Sequence, residues 1–161
     1  MLHFIVDGYN LIYRIKELKK QQPLERRRRI LISSLEKFKL SMSPRNRVTV
    51  VFDGKENVYP LTKLSEIIEI VFSKLTNADE VIKKMVYSTK AVKNIVVVTD
   101  DREIINYIKK LGAKHMAGDD FLKGIDKKRE TNPPDSGYKV DNIQAGIINR
   151  EIRTFLENKL H

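Results

Sequence analysis

The chain has 161 residues, a formal net charge of +10 and a pI near 9.7. With 41% hydrophobic and 32% charged residues, it matches a globular chain with one core and not an intrinsically disordered one. The absence of cysteine excludes disulfides and thiolate metal sites. No apolar run approaches the roughly 20 residues that span a bilayer, and no signal-peptide pattern opens the chain, so we expect a cytoplasmic protein without a membrane partner. The positive charge favours a polyanionic partner, of which nucleic acid is the commonest.

Strand-like and helical patterns alternate along the chain. Short apolar runs predict strands at residues 3–6, 47–52, 67–72, 95–99 and, more weakly, 113–117. Helical spacing and start signals predict helices at residues 24–42, 78–88, 102–111, 119–128 and 142–160. The sequence therefore predicts an α/β fold of three layers, a mainly parallel sheet with helices on both faces.

A proline-containing loop at residues 131–137 precedes the last predicted helix. We expect residues 1–130 to form one catalytic domain. Residues 131–161 would then be a loop and a C-terminal helix, packed on that domain or appended to it.

Acidic residues follow several of the predicted strands. Asp7, Asp53 and the pair Asp100-Asp101 come directly after strands, while Asp79 and Glu80 open the helix that follows the third strand. The carboxyl ends of parallel strands meet at one edge of a sheet, where open α/β folds bind ligands. Carboxylates crowded in this way need a neutralising partner, and Mg²⁺ or Mn²⁺ is the ion that oxygen ligands prefer.

Each acid also has a structural interpretation. Asp53-Gly54 is a common turn dipeptide, Asp79 and Glu80 suit a helix N-terminus, and Asp100 could cap the following helix. Structural roles of this kind account for one acid at each helix start. They do not readily account for several acids at the same edge of the sheet. His3 and His115 flank strands without metal-ligand spacing, so we predict structural roles for both.

The run Asp7-Gly8-Tyr9-Asn10-Leu11-Ile12 resembles the first motif of the NYN branch of PIN-like nucleases, and is most similar to the bacterial YacP-like subgroup. Three further matches follow in family order over about residues 2–125: Val51-Phe52-Asp53-Gly54, Asn77-Ala78-Asp79 and Val97-Val98-Thr99-Asp100-Asp101. The resemblance implies a PIN-like sheet and a metal-dependent endoribonuclease, and some relatives are linked to cleavage of mRNA on the ribosome.

The resemblance also implies residue roles. Asp7, Asn10, Asp79 and Asp101 match catalytic positions, and the three aspartates among them would be the core metal ligands. Asp100 stands where the subgroup usually has serine, so we treat it as a fourth potential metal ligand and leave the division of labour with Asp101 open. We place Asp53 and Glu80 at the rim of the site, with structural roles as the alternative.

Four consecutive arginines, Arg26 to Arg29, lie near the start of the helix predicted at residues 24–42 and indicate an RNA partner. Helical geometry predicts that Arg27 and Arg28 flank the apolar stripe and that Arg26 and Arg29 point outward. Cations at a helix N-terminus oppose the helix dipole, which suggests a phosphate partner, although a solvated face would also accommodate them. Tyr9 and Tyr13 could stack on bases or pack in the core.

Two other functions are also compatible with the sequence. A catalytically silent RNA- or ribosome-binding module would keep the same fold without cutting. A receiver-like signalling domain also places acids and Mg²⁺ at strand ends, but it does not explain the arginines.

Overall fold

The computed structural model describes residues 1–15, 22–55 and 65–131, with side chains described as far as residue 126. Its strands are β1 (His3–Asp7), β2 (Arg47–Phe52), β3 (Glu69–Phe72), β4 (Ile95–Val98) and β5 (Lys114–Met116). Its α-helices are α1 (Gly8–Arg14), α2 (Leu24–Leu40), α3 (Ala78–Tyr87), α4 (Arg102–Leu111) and α5 (Gly118–Thr131). A single 3₁₀ turn, Val92–Asn94, precedes β4.

The five strands form one parallel sheet in the order β3-β2-β1-β4-β5. The first strand of the chain is therefore the central one, with Ile5 opposite Thr49 of β2 on one side and Val97 of β4 on the other. Strand order reverses direction at β1, which makes the carboxyl ends of β1 and β4 the topological switch point where such sheets bind ligands. The predicted parallel α/β fold is confirmed.

Helices cover both faces of the sheet. Alternate residues of β1 face opposite sides, so Phe4 and Val6 pack with Leu31 of α2 and Phe121 of α5, in the core that also includes α1. On the other face, Ile5 packs with side chains of α3 and α4. Both faces of the central strands are thereby removed from water, as the continuous apolar runs predicted.

Several helix ends carry residues with capping chemistry. Asn77 accepts a hydrogen bond from the backbone N–H of Glu80 (2.8 Å) and caps α3. Gly112 ends α4 with φ +89°, a left-handed conformation that glycine adopts without strain, and the predicted helix stop at this residue is confirmed.

Two elements differ from the sequence-based prediction. Helix α1 was not predicted, because its seven residues are too few to show a helical period. Helix α5 continues to Thr131, three residues beyond its predicted end. The predicted 131–137 loop (apart from residue 131) and the C-terminal helix lie outside the described residues. Among the helices described, none combines the length and apolar character needed to cross a membrane.

Candidate active site at the carboxyl ends of the strands

Asp7 lies at the last position of the central strand and caps α1. Its side chain is only 8% exposed. One carboxylate oxygen accepts from the backbone N–H of Asn10 (3.4 Å), and the other accepts from the hydroxyl of Thr99 (3.1 Å). A buried acid with two donors is held in one orientation, as a catalytic or ligating carboxylate needs to be.

Gly8 allows the backbone to turn sharply after Asp7. A Cβ atom at this position would lie 2.5 Å from two ring atoms of Phe52 and 2.9 Å from the backbone oxygen of Val51. Because backbone cannot easily move aside, any larger residue would displace the start of α1 and the acid before it. The close approach explains the glycine in the Asp-Gly-Tyr-Asn motif.

Thr99 joins the end of β1 to the loop after β4. Its hydroxyl donates to Asp7 and accepts from the backbone N–H of Asp101 (3.1 Å). Asp101 in turn caps α4 by accepting from the N–H groups of Glu103 (2.8 Å) and Ile104 (3.1 Å). Asn10 adds a second connection, because its side-chain oxygen accepts from the N–H of Asp100 (3.1 Å).

Three aspartates from three different elements influence one another electrostatically. Burial raises the pKa of Asp7 to about 6, and the negative charges of Asp79 and Asp101 add to this shift. Burial also raises the pKa of Asp79, with contributions from Asp101, Glu103 and Asp53. The structure thus places Asp7, Asp79 and Asp101, the three residues predicted as core metal ligands, near enough to influence one another electrostatically.

The donor chemistry of this cluster suits a hard divalent cation. Its side chains offer oxygen atoms only, and their mutual repulsion is the kind that Mg²⁺ or Mn²⁺ relieves. In the described ranges, no group of three or more His, Cys, Asp or Glu side chains stands close enough to hold a metal ion as it is arranged. The three carboxylates therefore fit a metal by chemical type, and binding would require them to draw together.

Asp100 is placed differently from its neighbour. Its carboxylate forms an ion pair with Nε of Arg14 (3.0 Å) and accepts from the N–H of Gly118 (3.3 Å). Arg14, which also pairs with Asp119, partly balances the charge of Asp100 in this placement, and a role of Asp100 as a fourth metal ligand stays a prediction.

The two rim acids have local partners. Asp53 is exposed at the end of β2 and accepts from the hydroxyl of Ser73 (2.8 Å), while Gly54 after it adopts φ +90°. Asp53 thus occupies a turn and still contributes charge to the surroundings of Asp79. Glu80 lies in the first turn of α3, 3.4 Å from Nζ of Lys83.

The four arginines of α2 face different surroundings. Arg26 is exposed, Arg27 is half-buried, and Arg29 is exposed in an ion pair with Glu25 (2.9 Å). Arg28 is only 4% exposed, so its predicted role in surface contact with RNA is wrong for this conformation. Its guanidinium lies over the rings of Tyr9, Phe52 and Phe72, at 5.3, 5.6 and 5.4 Å from the ring centroids.

The remaining predicted residues, two tyrosines and two histidines, differ in burial and in what they contact. Tyr9 is half-buried, packs on Phe52 and accepts a hydrogen bond from Arg28, whereas Tyr13 is exposed. His3 contacts the Thr49 hydroxyl (2.7 Å) and His115 contacts the backbone oxygen of Thr99 (2.8 Å), which agrees with structural roles.

The roles of some site residues depend on tertiary contacts and are not visible in the sequence. Ser73 and Arg14 each bind a site carboxylate, yet a lone hydroxyl or arginine carries no pattern of its own. Thr99 stands in the motif that ends at Asp101, but the motif alone assigns no role to its hydroxyl. Thr99 and Ser73 share one signal, because each is the first residue after a strand at the edge where the acids lie.

Comparison with known proteins agrees with the geometry. The model of the YacP-like NYN domain family matches residues 4–157. A crystal structure of Rae1 (YacP) from Bacillus subtilis is 26% identical with a TM-score of 0.66, covering 98% of this chain and 83% of that one. A mutant form of the same protein, at 23% identity and a TM-score of 0.63, covers 92% of this chain and 99% of that one, and shows the shared fold. No curated protein matches the sequence. The matched family model spans nearly the whole chain, and this protein therefore belongs to the YacP-like NYN domain family, a family of nuclease type.

Proposed function

We propose that this protein is a divalent-metal-dependent endoribonuclease. Its substrate would be RNA in the cytoplasm, with mRNA as the main class and the ribosome as a partner that presents it. The observation that carries the proposal is the buried carboxyl of Asp7 at the end of the central strand, whose pKa is raised to about 6 by burial and by the charges of Asp79 and Asp101. Strongly perturbed acids at the switch point of a parallel sheet are typical of functional sites.

Asp7, Asp79 and Asp101 would hold Mg²⁺ or Mn²⁺, which supplies activation of water and charge stabilisation in phosphodiester hydrolysis. The protein's own groups prepare that arrangement. Thr99 and the N–H of Asn10 orient the Asp7 carboxylate, and the cap of α4 fixes one oxygen of Asp101. The side-chain nitrogen of Asn10 can donate to the scissile phosphate, since its oxygen is engaged by Asp100.

The positive surface would guide the substrate. Arg26 and Arg29 are exposed on α2, and Arg27 is partly accessible. Tyr13 offers an exposed ring near the other end of α1 from Asp7. Cationic side chains bind the RNA backbone without sequence preference, while an exposed aromatic ring can stack on a base.

Conservative substitutions test the metal-nuclease mechanism. In Asp7→Asn, Asp79→Asn and Asp101→Asn, shape is nearly preserved and one ligand charge is lost, so each variant should fold and lose at least about 100-fold in cleavage rate. Asparagine also caps helices well, so Asp101→Asn should leave α4 intact. Asp53→Asn, which changes a rim carboxylate, should lose less. The measurement is cleavage of single-stranded RNA in Mn²⁺, with ribosomes added in a parallel reaction and thermal melts for every variant.

The alternative is a catalytically silent RNA- or ribosome-binding module. It is favoured by one observation, that the described acids do not form a ready-made metal cluster. If the folded Asp7→Asn and Asp101→Asn variants cut as fast as wild type, the metal mechanism is wrong. If the wild type binds RNA and never cuts, with or without ribosomes, the silent module is the better description.

A further inference from the structure

A cleft between α3 and α4 lies beside the acidic site. It has a volume of about 340 Å³ and is lined by Glu80, Lys83, Lys84, Tyr87 and Tyr107. Glu80 follows Asp79 in the first turn of α3, so one end of the cleft lies next to that acid along the helix. Tyr87 ends α3 eight residues after Asp79, which places the far end about 12 Å along the helix axis.

The two tyrosines of the cleft differ in what they contact. The ammonium group of Lys83 lies 5.7 Å from the ring centroid of Tyr107 and engages that ring. Tyr87 is 72% exposed although it borders a cavity. A single exposed aromatic residue means little on its own. Here the exposed ring lines a concavity that a second tyrosine and two lysines share.

The charges of the cleft nearly cancel. Lys83 forms ion pairs with both Glu80 and Glu103, so it contributes little net charge. Lys84 is exposed on the same helix and remains as the cation at the far end. A nearly neutral, aromatic-lined cavity suits an uncharged planar group better than a phosphate, and Lys84 could contact a phosphate attached to that group.

We propose that this cleft is a base-binding subsite for single-stranded RNA, in which one nucleobase stacks on Tyr87 within a few nucleotides of the scissile phosphate. The subsite rests on the proposed nuclease function, because the strand must pass the acids and the cleft together. It adds a second contact surface on the opposite face of the sheet from α2 and its arginines. Binding there would hold the strand on both sides of Asp7.

Binding measurements without cleavage test the subsite. Fluorescence anisotropy with a labelled single-stranded RNA, in metal-free buffer, should show Tyr87→Ala binding at least about five-fold more weakly than wild type. Its dependence on salt should be unchanged, because no charge is lost. Tyr87→Phe should retain affinity, and Leu75→Ala, at a 91% exposed position, is the control for loss of any surface side chain. Equal affinity of Tyr87→Ala and wild type overturns the subsite, as does a wild type that binds no RNA.

An abasic scan then locates the base. Removing one base at a time should weaken binding to wild type at one particular position, and that position should cease to matter in Tyr87→Ala. If every position responds alike in both proteins, no base occupies the cleft. The nuclease proposal fails separately: an RNA that shows the abasic effect but is never cut leaves the subsite standing, and cleavage with normal Tyr87→Ala binding leaves only the nuclease.

Discussion

The carboxyl of Asp7 is buried in a place that disfavours its charge. Burial and two neighbouring aspartates raise its pKa to about 6, while its hydrogen bonds from Asn10 and Thr99 act in the opposite direction. In the unfolded chain the same carboxyl has a pKa near 4. Ionisation of Asp7 therefore lowers the free energy of unfolding unless a bound cation neutralises the charge.

This effect predicts how stability changes with pH in the metal-free protein. Between about pH 4 and pH 6 the folded state keeps a proton on Asp7 that the unfolded state has lost, so stability falls as pH rises through this range. Above pH 6 the penalty is fully present, at up to about 3 kcal/mol. Asp7→Asn should therefore be more stable than wild type at pH 7.5, and the two should converge near pH 4.

Denaturant melts in EDTA at several pH values measure this difference. Saturating Mn²⁺ is the matched control, because metal binding to the folded state should stabilise wild type and not Asp7→Asn. An Asp7→Asn variant that is less stable than wild type at every pH in EDTA would show that the acid is not strained.

Residue types along the chain were enough to predict a candidate site at one edge of the sheet, and not enough to divide the roles among its acids. Asp7 is the acid at the end of the first strand, and Asp79 is one of two acids in the first turn of α3, so the sequence predicts both as candidates. Asp100 and Asp101 are adjacent at the end of one strand, so the sequence could not distinguish them. Only the fold shows that one faces Arg14 and Gly118 while the other caps α4 near Asp7.

At the level of elements, α2 shows how a charged helix can also be a core helix. Leu31, Leu35 and Phe38 lie on its buried stripe, and Arg28 joins them under three aromatic rings. Within the described residues, the Nε and Nη1 atoms of Arg28 have no hydrogen-bond partner. The attraction of a cation to ring faces opposes the desolvation of the guanidinium, and we expect the two effects to offset each other in large part.

A substitution in this helix measures that balance. Arg28→Met should change the free energy of unfolding by no more than about 1 kcal/mol, because burial cost and cation–π attraction are removed together. Leu31→Ala, at an equally buried apolar position one turn away, should cost about 2–5 kcal/mol. Chemical denaturation of both variants gives the comparison. A loss above about 2 kcal/mol for Arg28→Met would mean that the buried cation is itself a stabilising element.

Elements with a long apolar period were predictable, and short ones were not. The strand runs around Val50 and Val97 and the stripe of α4 were identified because burial on one or both faces imposes a pattern. Helix α1 follows from the Asp7 cap and the tight contact at Gly8, which depend on β2 lying alongside. The burial of Arg28 likewise depends on rings from three separate elements, α1, β2 and β3.

For the whole molecule, the net charge of +10 should appear in the salt dependence of RNA binding. If Arg26 and Arg29 contact phosphates, replacing both with Ala should flatten the log–log slope of affinity against salt by up to about 1.4, at about 0.7 per single-strand contact. Lys109→Ala with Lys110→Ala, two exposed cations at the end of α4, is the control for lost charge alone. An equal effect of both double variants would mean that the arginines act only through net charge.

The position of β1 in the sheet has a consequence for synthesis of the protein. The strand that leaves the ribosome first is the one that needs two later neighbours, and the hydroxyl that holds Asp7 is 92 residues further along the chain. Such distant pairings form slowly, since a long loop must close before any contact stabilises it. A nascent chain that ends before β4 contains Asp7 and Asp79 but neither Thr99 nor Asp101. The acids proposed to cut RNA can therefore assemble only after β4 and the start of α4 have been synthesised.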